Sequence, residues 1–258
     1  MNKFKTGLVL SGGAARGLAH AGVLQALDEE GMSPQIISGV SAGAIIGALY
    51  ADGYSPKQML DIFLDKSMLS YVKPAIPRMG LLRMSGLEEL LTKHLHAKRI
   101  EDLKIPLYIT ATDIHSGKAR VFKTGKLIPV IIASSSIPVM FIPSVIDGFT
   151  LVDGGVVDNL PIDPIHKLCD FIIGVHVNPI GKVSKIDGLI DMAERTFNLS
   201  VAAQIEKKIP EFNIFIEPPE LKNYGLTDIK KGREIFEIGY HEAKRIISKM
   251  ITESKTAS

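Results

Sequence analysis

The sequence predicts an α/β fold with a largely parallel central sheet flanked by helices, and three observations carry that prediction. Short apolar runs alternate with longer stretches of helical period along the chain. Two of those runs break directly into glycine-containing turns and then into helix-like stretches, at Ser11–Gly17 and Gly39–Gly43. The third is size: 258 residues with 46% hydrophobic content can fill one large core, so a single domain over 1–258 is the simplest organisation.

Thr6-Gly7-Leu8-Val9-Leu10 reads as the first buried strand. Ser11-Gly12-Gly13-Ala14-Ala15-Arg16-Gly17 follows as a loop, and Leu18 to Leu27 is amphipathic at helical spacing. Strand, glycine loop and helix make a nest of backbone N–H groups suited to an anion. The spacing Gly12-Gly13-x-x-x-Gly17 is not the G-x-G-x-x-G of a dinucleotide site, and no Gly-Lys-Ser/Thr follows to make a P-loop. The loop can still supply the two or so converging donors that an oxyanion hole requires.

Gln35-Ile36-Ile37 reads as the second strand, and Ala44 to Leu49 as the helix after it. Between them Gly39-Val40-Ser41-Ala42-Gly43 places a lone serine on a tight turn. Glycines two residues either side allow a sharp turn without a Cβ clash, so Oγ is pushed out of the sheet. The helix N-terminus that follows carries about half a positive charge, which suits a developing oxyanion. Taken alone, the same pentapeptide also fits a small-residue turn where a helix packs closely on a strand.

Further strands are predicted at Leu107–Ala111, Thr150–Val152, Phe171–Val177 and Asn213–Ile216. The C-terminal region, 187–251, reads as helical, with one helix over Asp191–Lys207 and another over Gly232–Met250. In the latter, Ile235, Phe236, Ala243 and Ile247 recur on one face and should pack on the sheet. The polar tail Thr252–Ser258 is expected to fray. Residues 62–91 interleave Met68, Met79, Leu81 and Met84 with Lys66, Lys73, Arg78 and Arg83, broken by Pro74, Pro77 and Gly80. Two structures suit that stretch, a helix–loop connection packed on the core or a Met-rich cap that receives acyl chains and meets anionic lipid surfaces.

Several function classes fall away. A net charge of +2, from 30 Lys and Arg against 28 Asp and Glu, is too balanced for a nucleic-acid binder. The single Cys169 rules out an intrachain disulfide and fits a reducing compartment. Residues 1–6 run straight into a strand, so no signal peptide is expected. The charge-free runs Gly31–Ala51 and Leu127–Ile146 contain the serine turn and three prolines respectively, and neither reads as a membrane-spanning helix. There is no H-E-x-x-H motif or cysteine cluster, and His94 and His96, two apart on a predicted helix, point to different faces. No metal, calcium ion or other cofactor is expected.

Leu151-Val152-Asp153-Gly154-Gly155 is by itself a turn signal. In company with the two earlier segments it resembles the patatin-like phospholipase family, which includes lysophospholipases and neuropathy-target-esterase-like proteins. That family pairs a glycine-rich oxyanion loop with a G-x-S-x-G turn and an Asp-Gly-Gly/Ala segment. All three occur here in family order, and Ala133-Ser134-Ser135-Ser136-Ile137-Pro138, with Phe141 and Pro143, also looks like the family segment ahead of the aspartate. The similarity spans residues 5–178, which contain every motif.

The resemblance implies a patatin-like three-layer sandwich and a Ser–Asp dyad, with Ser41 as nucleophile and Asp153 as base. Gly12, Gly13 and Ala14 are then the oxyanion loop. Arg16, Gly17, Gly39, Ala42, Gly43, Gly154 and Gly155 are the supporting motif positions. The family loop carries a third glycine where this chain has Ala14; the N–H survives that change as long as residue 14 does not need positive φ. Arg16 matches the family's basic position, where it can steady the loop or meet a lipid phosphate. The implied substrate is a lipid or lysophospholipid ester, with cytoplasmic location and peripheral contact at the inner membrane face. Two alternatives stay open from the residues: a Ser41–Asp153–His176 triad, and a catalytically idle lipid-binding module that has kept the fold. Head group, chain length, hydrolysis against acyl transfer, and oligomeric state cannot be read from the residues.

Overall fold

The computed structural model describes residues 3–65, 73–74, 82–182, 186–188, 192, 195–196, 199–202 and 205–256. Its centre is β1 (Phe4–Leu10), which pairs in parallel with β2 (Ile36–Val40) on one edge and with β9 (Cys169–Val175) on the other. β10 (Ile214–Ile216) extends the parallel array beyond β9, and β5 (Leu107–Asp113) extends it beyond β2. β8 (Phe149–Asp153), β7 (Ser144–Ile146) and β6 (Lys118–Phe122) complete the sheet in antiparallel sense. The order is β10-β9-β1-β2-β5-β8-β7, with β6 on β5. A separate two-stranded ribbon pairs β3 (Lys73–Pro74) with β4 (Leu82–Arg83).

Alternation along the strands splits the core into two layers. Leu8 and Leu10 of β1, Ile37 of β2, and Ile173 and Val175 of β9 enter one apolar cluster. Val9, Ile36 and Ile172, their neighbours in sequence, enter the other. The first layer is covered by α1 (Leu18–Glu29), α2 (Ala42–Asp52), α3 (Pro56–Leu64), α4 (Ser85–His94), α5 (Leu127–Ser134) and α7 (Gly232–Thr256). The second is covered by α6 (Asp163–His166), with Val201 and Ile205. This is the three-layer α/β sandwich with a mostly parallel sheet.

Local chemistry sets several element ends. α2 stops at Gly53, which takes the left-handed conformation at φ 109°. α3 starts on a reciprocal cap in which Ser55 and Gln58 bond each other's backbone, with Pro56 in the first turn. α1 packs against α7, α2 and α3, nine of its twelve residues are buried, and glycines mark its crossing with α7. A Cβ on Gly22 would collide with the Phe236 carbonyl, and one on Gly239 with the Ala19 carbonyl.

The structure adds elements that periodicity did not indicate: α3 and the antiparallel β6 and β7. The cap expectation for 62–91 largely concerns residues 66–72 and 75–81, which lie outside the described residues. Of the helix predicted over Asp191–Lys207, the described positions 192, 195–196, 199–202 and 205 are helical. The predicted helix holding both His94 and His96 ends at His94; His96 follows the helix and places Nδ1 3.0 Å from the Asp52 carboxylate.

Candidate active site

The site follows from register on β5. Along one edge of that strand β2 pairs in parallel, ending with Val40 opposite Thr110. The next residue on the same edge, Ala111, faces Asp153, the last residue of antiparallel β8. β6 occupies the other edge from Ile109 to Asp113. β2 and β8 therefore meet end to end on β5, and Ser41 emerges beside Asp153. The loop after β1 sits at the third corner. It leaves the sheet where connections diverge, towards β2 on one side and from β9 towards β10 on the other, and such switch points form crevices at strand carboxyl ends.

Ser41 itself is strained, with φ 52° and ψ −122°. A non-glycine residue held there costs about 1–3 kcal/mol, offset by the surrounding structure. Its N–H donates to Ser134 Oγ at 2.9 Å, and Ser134 Oγ in turn donates to the Thr110 carbonyl at 2.6 Å. Its carbonyl accepts the Ile45 N–H at 3.1 Å, which opens α2. Both flanking glycines are sterically required. A Cβ on Gly39 would lie 2.7 Å from the Gly43 carbonyl oxygen, and one on Gly43 would collide with the Leu10 carbonyl.

Asp153 is 2% exposed. Its N–H donates to the Ser136 carbonyl at 2.9 Å, and its Oδ1 accepts the Gly155 N–H at 2.8 Å. Gly154 can carry no side chain, because a Cβ would run into the Thr110 carbonyl. Burial pushes the Asp153 carboxyl up to about 6, while hydrogen bonds from the Ser41 hydroxyl and the Gly155 N–H pull in the opposite direction. A carboxyl with a displaced pKa, bonded to a serine on a strained turn, meets the geometric and electrostatic requirements of a nucleophile with its base.

The glycine loop packs on Ser41. The empty Cβ position of Gly12 is 3.1 Å from Ser41 Cβ, and that of Gly17 is 2.5 Å from Ala42 Cβ. Gly12 is not a free donor, since its N–H bonds Asn159 Oδ1 at 3.2 Å. Among the described residues the N–H groups of Gly13 and Ala14 have no protein acceptor, so the unclaimed donors lie one residue further along than Gly12. Ala14 does take positive φ, at 47°, contrary to the condition set by the sequence; the N–H is kept all the same, so the change from glycine is met by strain of roughly 1–2 kcal/mol rather than by loss of the donor. Arg16 is buried; Nε donates to the Tyr224 carbonyl at 2.7 Å and Nη1 reaches Asn178 Oδ1 at 3.5 Å, tying the loop to two distant segments.

Neither ring nitrogen of His176 bonds Ser41 or Asp153. Its Nδ1 pairs with Glu217 Oε1 at 2.6 Å, and its buried Nε2 has no partner. No group of three or more potential ligands is poised for a metal among the described residues. Sequence reasoning missed Ser134, Asn159 and Asn178 as individual contributors. Ser134 lies in a segment noted for its serines. Asn159 and Asn178 carried only a weak signal, an amide side chain just past a strand or an Asp-Gly-Gly turn.

Residues 8–166 match the family model described as patatin-like phospholipase. Patatin-like phospholipase domain-containing protein 6 of Homo sapiens is 28% identical over 96% of this chain, which covers 21% of that protein. An uncharacterised NTE family protein of Mycobacterium tuberculosis is 36% identical over 67% of this chain and 49% of its own length. Lysophospholipase NTE1 of Kluyveromyces lactis is 30% identical over 91% of this chain and 18% of its own. The chain thus spans about half or less of these curated relatives. Among solved structures, VipD of Legionella pneumophila superposes with a TM-score of 0.55 at 15% identity, covering 96% of this chain and 67% of that one. Human GIVD cytosolic phospholipase A2, bound to methyl gamma-linolenyl fluorophosphonate, gives 0.52 at 11% identity, covering 98% and 58%. These two likenesses concern the fold.

Proposed function

The chain belongs to the patatin-like phospholipase family, and on that premise we propose that it is a serine acyl hydrolase of lipid carboxylic esters, a phospholipase A, lysophospholipase or esterase. It works through a Ser41–Asp153 dyad and an acyl-enzyme. The observation that carries this reading is the pairing of a strained Ser41 with a buried Asp153 whose pKa lies at about 6. Such a carboxylate is ionised at neutral pH yet more basic than an ordinary one.

In the first half-reaction Asp153 takes the Ser41 hydroxyl proton as Oγ bonds the ester carbonyl carbon, and the carbonyl π electrons move onto oxygen. The N–H groups of Gly13 and Ala14 receive that oxyanion, each donor contributing about 10²–10³ in rate. Collapse breaks the bond to the leaving oxygen, which takes the proton from Asp153 and departs as an alcohol. In the second half-reaction Asp153 deprotonates a water, which attacks the acyl-serine; collapse returns the proton to Ser41 and frees the fatty acid. Peripheral contact with a lipid surface belongs to the same reading. Val139 and Val145, 65% and 72% exposed, stand on the segment joining Ser136, the acceptor of the Asp153 N–H, to β8. No helix among the described residues is long and apolar enough to cross a membrane.

Hydrolysis of p-nitrophenyl esters of increasing chain length tests this. Ser41→Ala is expected to remove turnover, and Asp153→Asn to lower kcat by about 10²–10⁴ with circular dichroism unchanged. Wild-type inactivity, or turnover indifferent to Ser41, would replace the hydrolase with a lipid-binding module.

A further inference from the structure

The peptide unit that carries the Gly13 N–H is also the one that carries the Gly12 carbonyl, and that carbonyl is gripped. Asn178 Nδ2 donates to it at 2.6 Å and Ser11 Oγ at 2.9 Å. Because a peptide is planar and trans, fixing the oxygen on one side aims the N–H to the other. The grip is itself held in place. Asn178 Oδ1 faces Arg16 Nη1 at 3.5 Å, which leaves Nδ2 as the group turned to Gly12. Ser11 Oγ accepts the Val177 N–H at 3.1 Å, which leaves its own proton for the carbonyl.

The preceding peptide is fixed in the same way. Its carbonyl, on Ser11, lies 2.8 Å from His20 Nε2, and its N–H, on Gly12, donates to Asn159 Oδ1 at 3.2 Å. Burial lowers the His20 pKa to about 4, so the ring is neutral at neutral pH and carries its one proton on the nitrogen that meets the carbonyl. Two consecutive peptides are therefore tied at every polar atom except one, the Gly13 N–H. Their partners come from β9's end, from α1 and from the segment after Asp153.

We propose that Asn178, assisted by Ser11, is a positioning residue for ester hydrolysis that presets the Gly13 N–H as an oxyanion donor. This rests on the hydrolase reading above and deepens it. With the carbonyl bonded, the peptide needs no reorientation when charge develops, and each bond to its oxygen polarises the N–H at its other end. Without Asn178 the Gly12–Gly13 peptide is held by Ser11 alone and is free to rock, which weakens the transition state more than the bound ester.

Asn178→Asp is the sharpest variant, since it keeps the shape and an oxygen for Arg16 but turns an acceptor toward the Gly12 carbonyl. Three quantities are measured for a p-nitrophenyl ester: kcat, KM, and inhibition by an alkylboronic acid, which forms a tetrahedral anion on the serine. A loss of about 10² in kcat is expected, comparable to loss of one donor, with KM within about twofold and boronate affinity falling by a similar factor. Ser11→Ala is expected to show the same pattern at smaller amplitude, and it serves as the test if Asn178→Asp does not fold. A folded Asn178→Asp enzyme with kcat near wild type, or with loss confined to KM, would overturn the inference while leaving a Ser41-dependent hydrolase intact. Misfolding of both variants would make the bonds purely structural and overturn it too. Turnover surviving Ser41→Ala would overturn the hydrolase reading, and this inference with it.

Discussion

At the scale of the residue, Asp153 is held where ionisation is costly, and that cost has a sign. Burial raises its pKa from 3.8 to about 6. As pH rises through 3.8 the unfolded chain releases the proton first, so folding stability falls with pH until the native carboxyl ionises near 6, then levels. A shift of about two units corresponds to about 3 kcal/mol. Asp153→Asn removes this loss while removing the proposed base. Urea denaturation is expected to show the variant gaining up to about 3 kcal/mol on wild type between pH 4 and pH 8. A stability difference that stays flat over that range would contradict the burial of the carboxyl. Wild-type kcat/KM should move oppositely, rising through pH 6 as the base form appears. Ser41 follows the same logic at a backbone dihedral, with strain concentrated on the residue whose Oγ must stand clear of the sheet.

At the scale of the element, what was legible in the sequence was local. The strand–turn–helix around Ser41 declares itself because Gly39 and Gly43 are demanded by backbone atoms a few residues away or on the adjoining strand. Helix α3 had its own signal in Ser55-Pro56-x-Gln58, which apolar periodicity does not weigh. Asn159 and Asn178 were illegible for a different reason. Their partners, Gly12 and Arg16, lie well over a hundred residues away, and only the assembled sheet, with β9 beside β1 and β8 meeting β2 on β5, brings them together. Gly22 and Gly239 are the same case, since within a helix they look like defects costing about 1 kcal/mol each. The crossing of α1 and α7 gives them meaning, because each lets a helix approach the other's backbone. Gly22→Ala and Gly239→Ala are each expected to destabilise the protein by about 1–3 kcal/mol. Both clashes are relieved by one separation of the helices, so the double variant should cost less than the sum. Strict additivity in chemical denaturation would show that the two glycines do not share a crossing.

At the scale of the whole molecule, the question is whether the two apolar layers on either face of the sheet act as one. β1 belongs to both, with Leu8 and Leu10 on the side of α1 and α7 and Val9 on the side of α6. Cys169 reports on the second layer. It is buried, its thiol pushed up to about 11, and its Sγ lies 2.5 Å from where a Cβ on Gly7 of β1 would be. A thiol packed so closely on the central strand meets a reagent only when β1 and β9 part. Parting them also breaks the first layer, because the same strands carry its Leu8, Leu10, Ile173 and Val175. Cys169 labelling at pH 8 should therefore proceed through global unfolding. Gly22→Ala acts on the opposite face, at the α1–α7 crossing. If the sheet makes one cooperative unit, it should speed labelling by the factor its loss of stability dictates, about tenfold for each 1.4 kcal/mol, provided reclosing outpaces the reagent. Labelling unchanged by Gly22→Ala would mean that β9 and α6 open without the helical layer. The glycine loop would then lie over a seam, because the bonds fixing the Ser11–Gly12 and Gly12–Gly13 peptides come from His20 of α1 on one side and from Asn159 and Asn178, beyond β8 and β9, on the other.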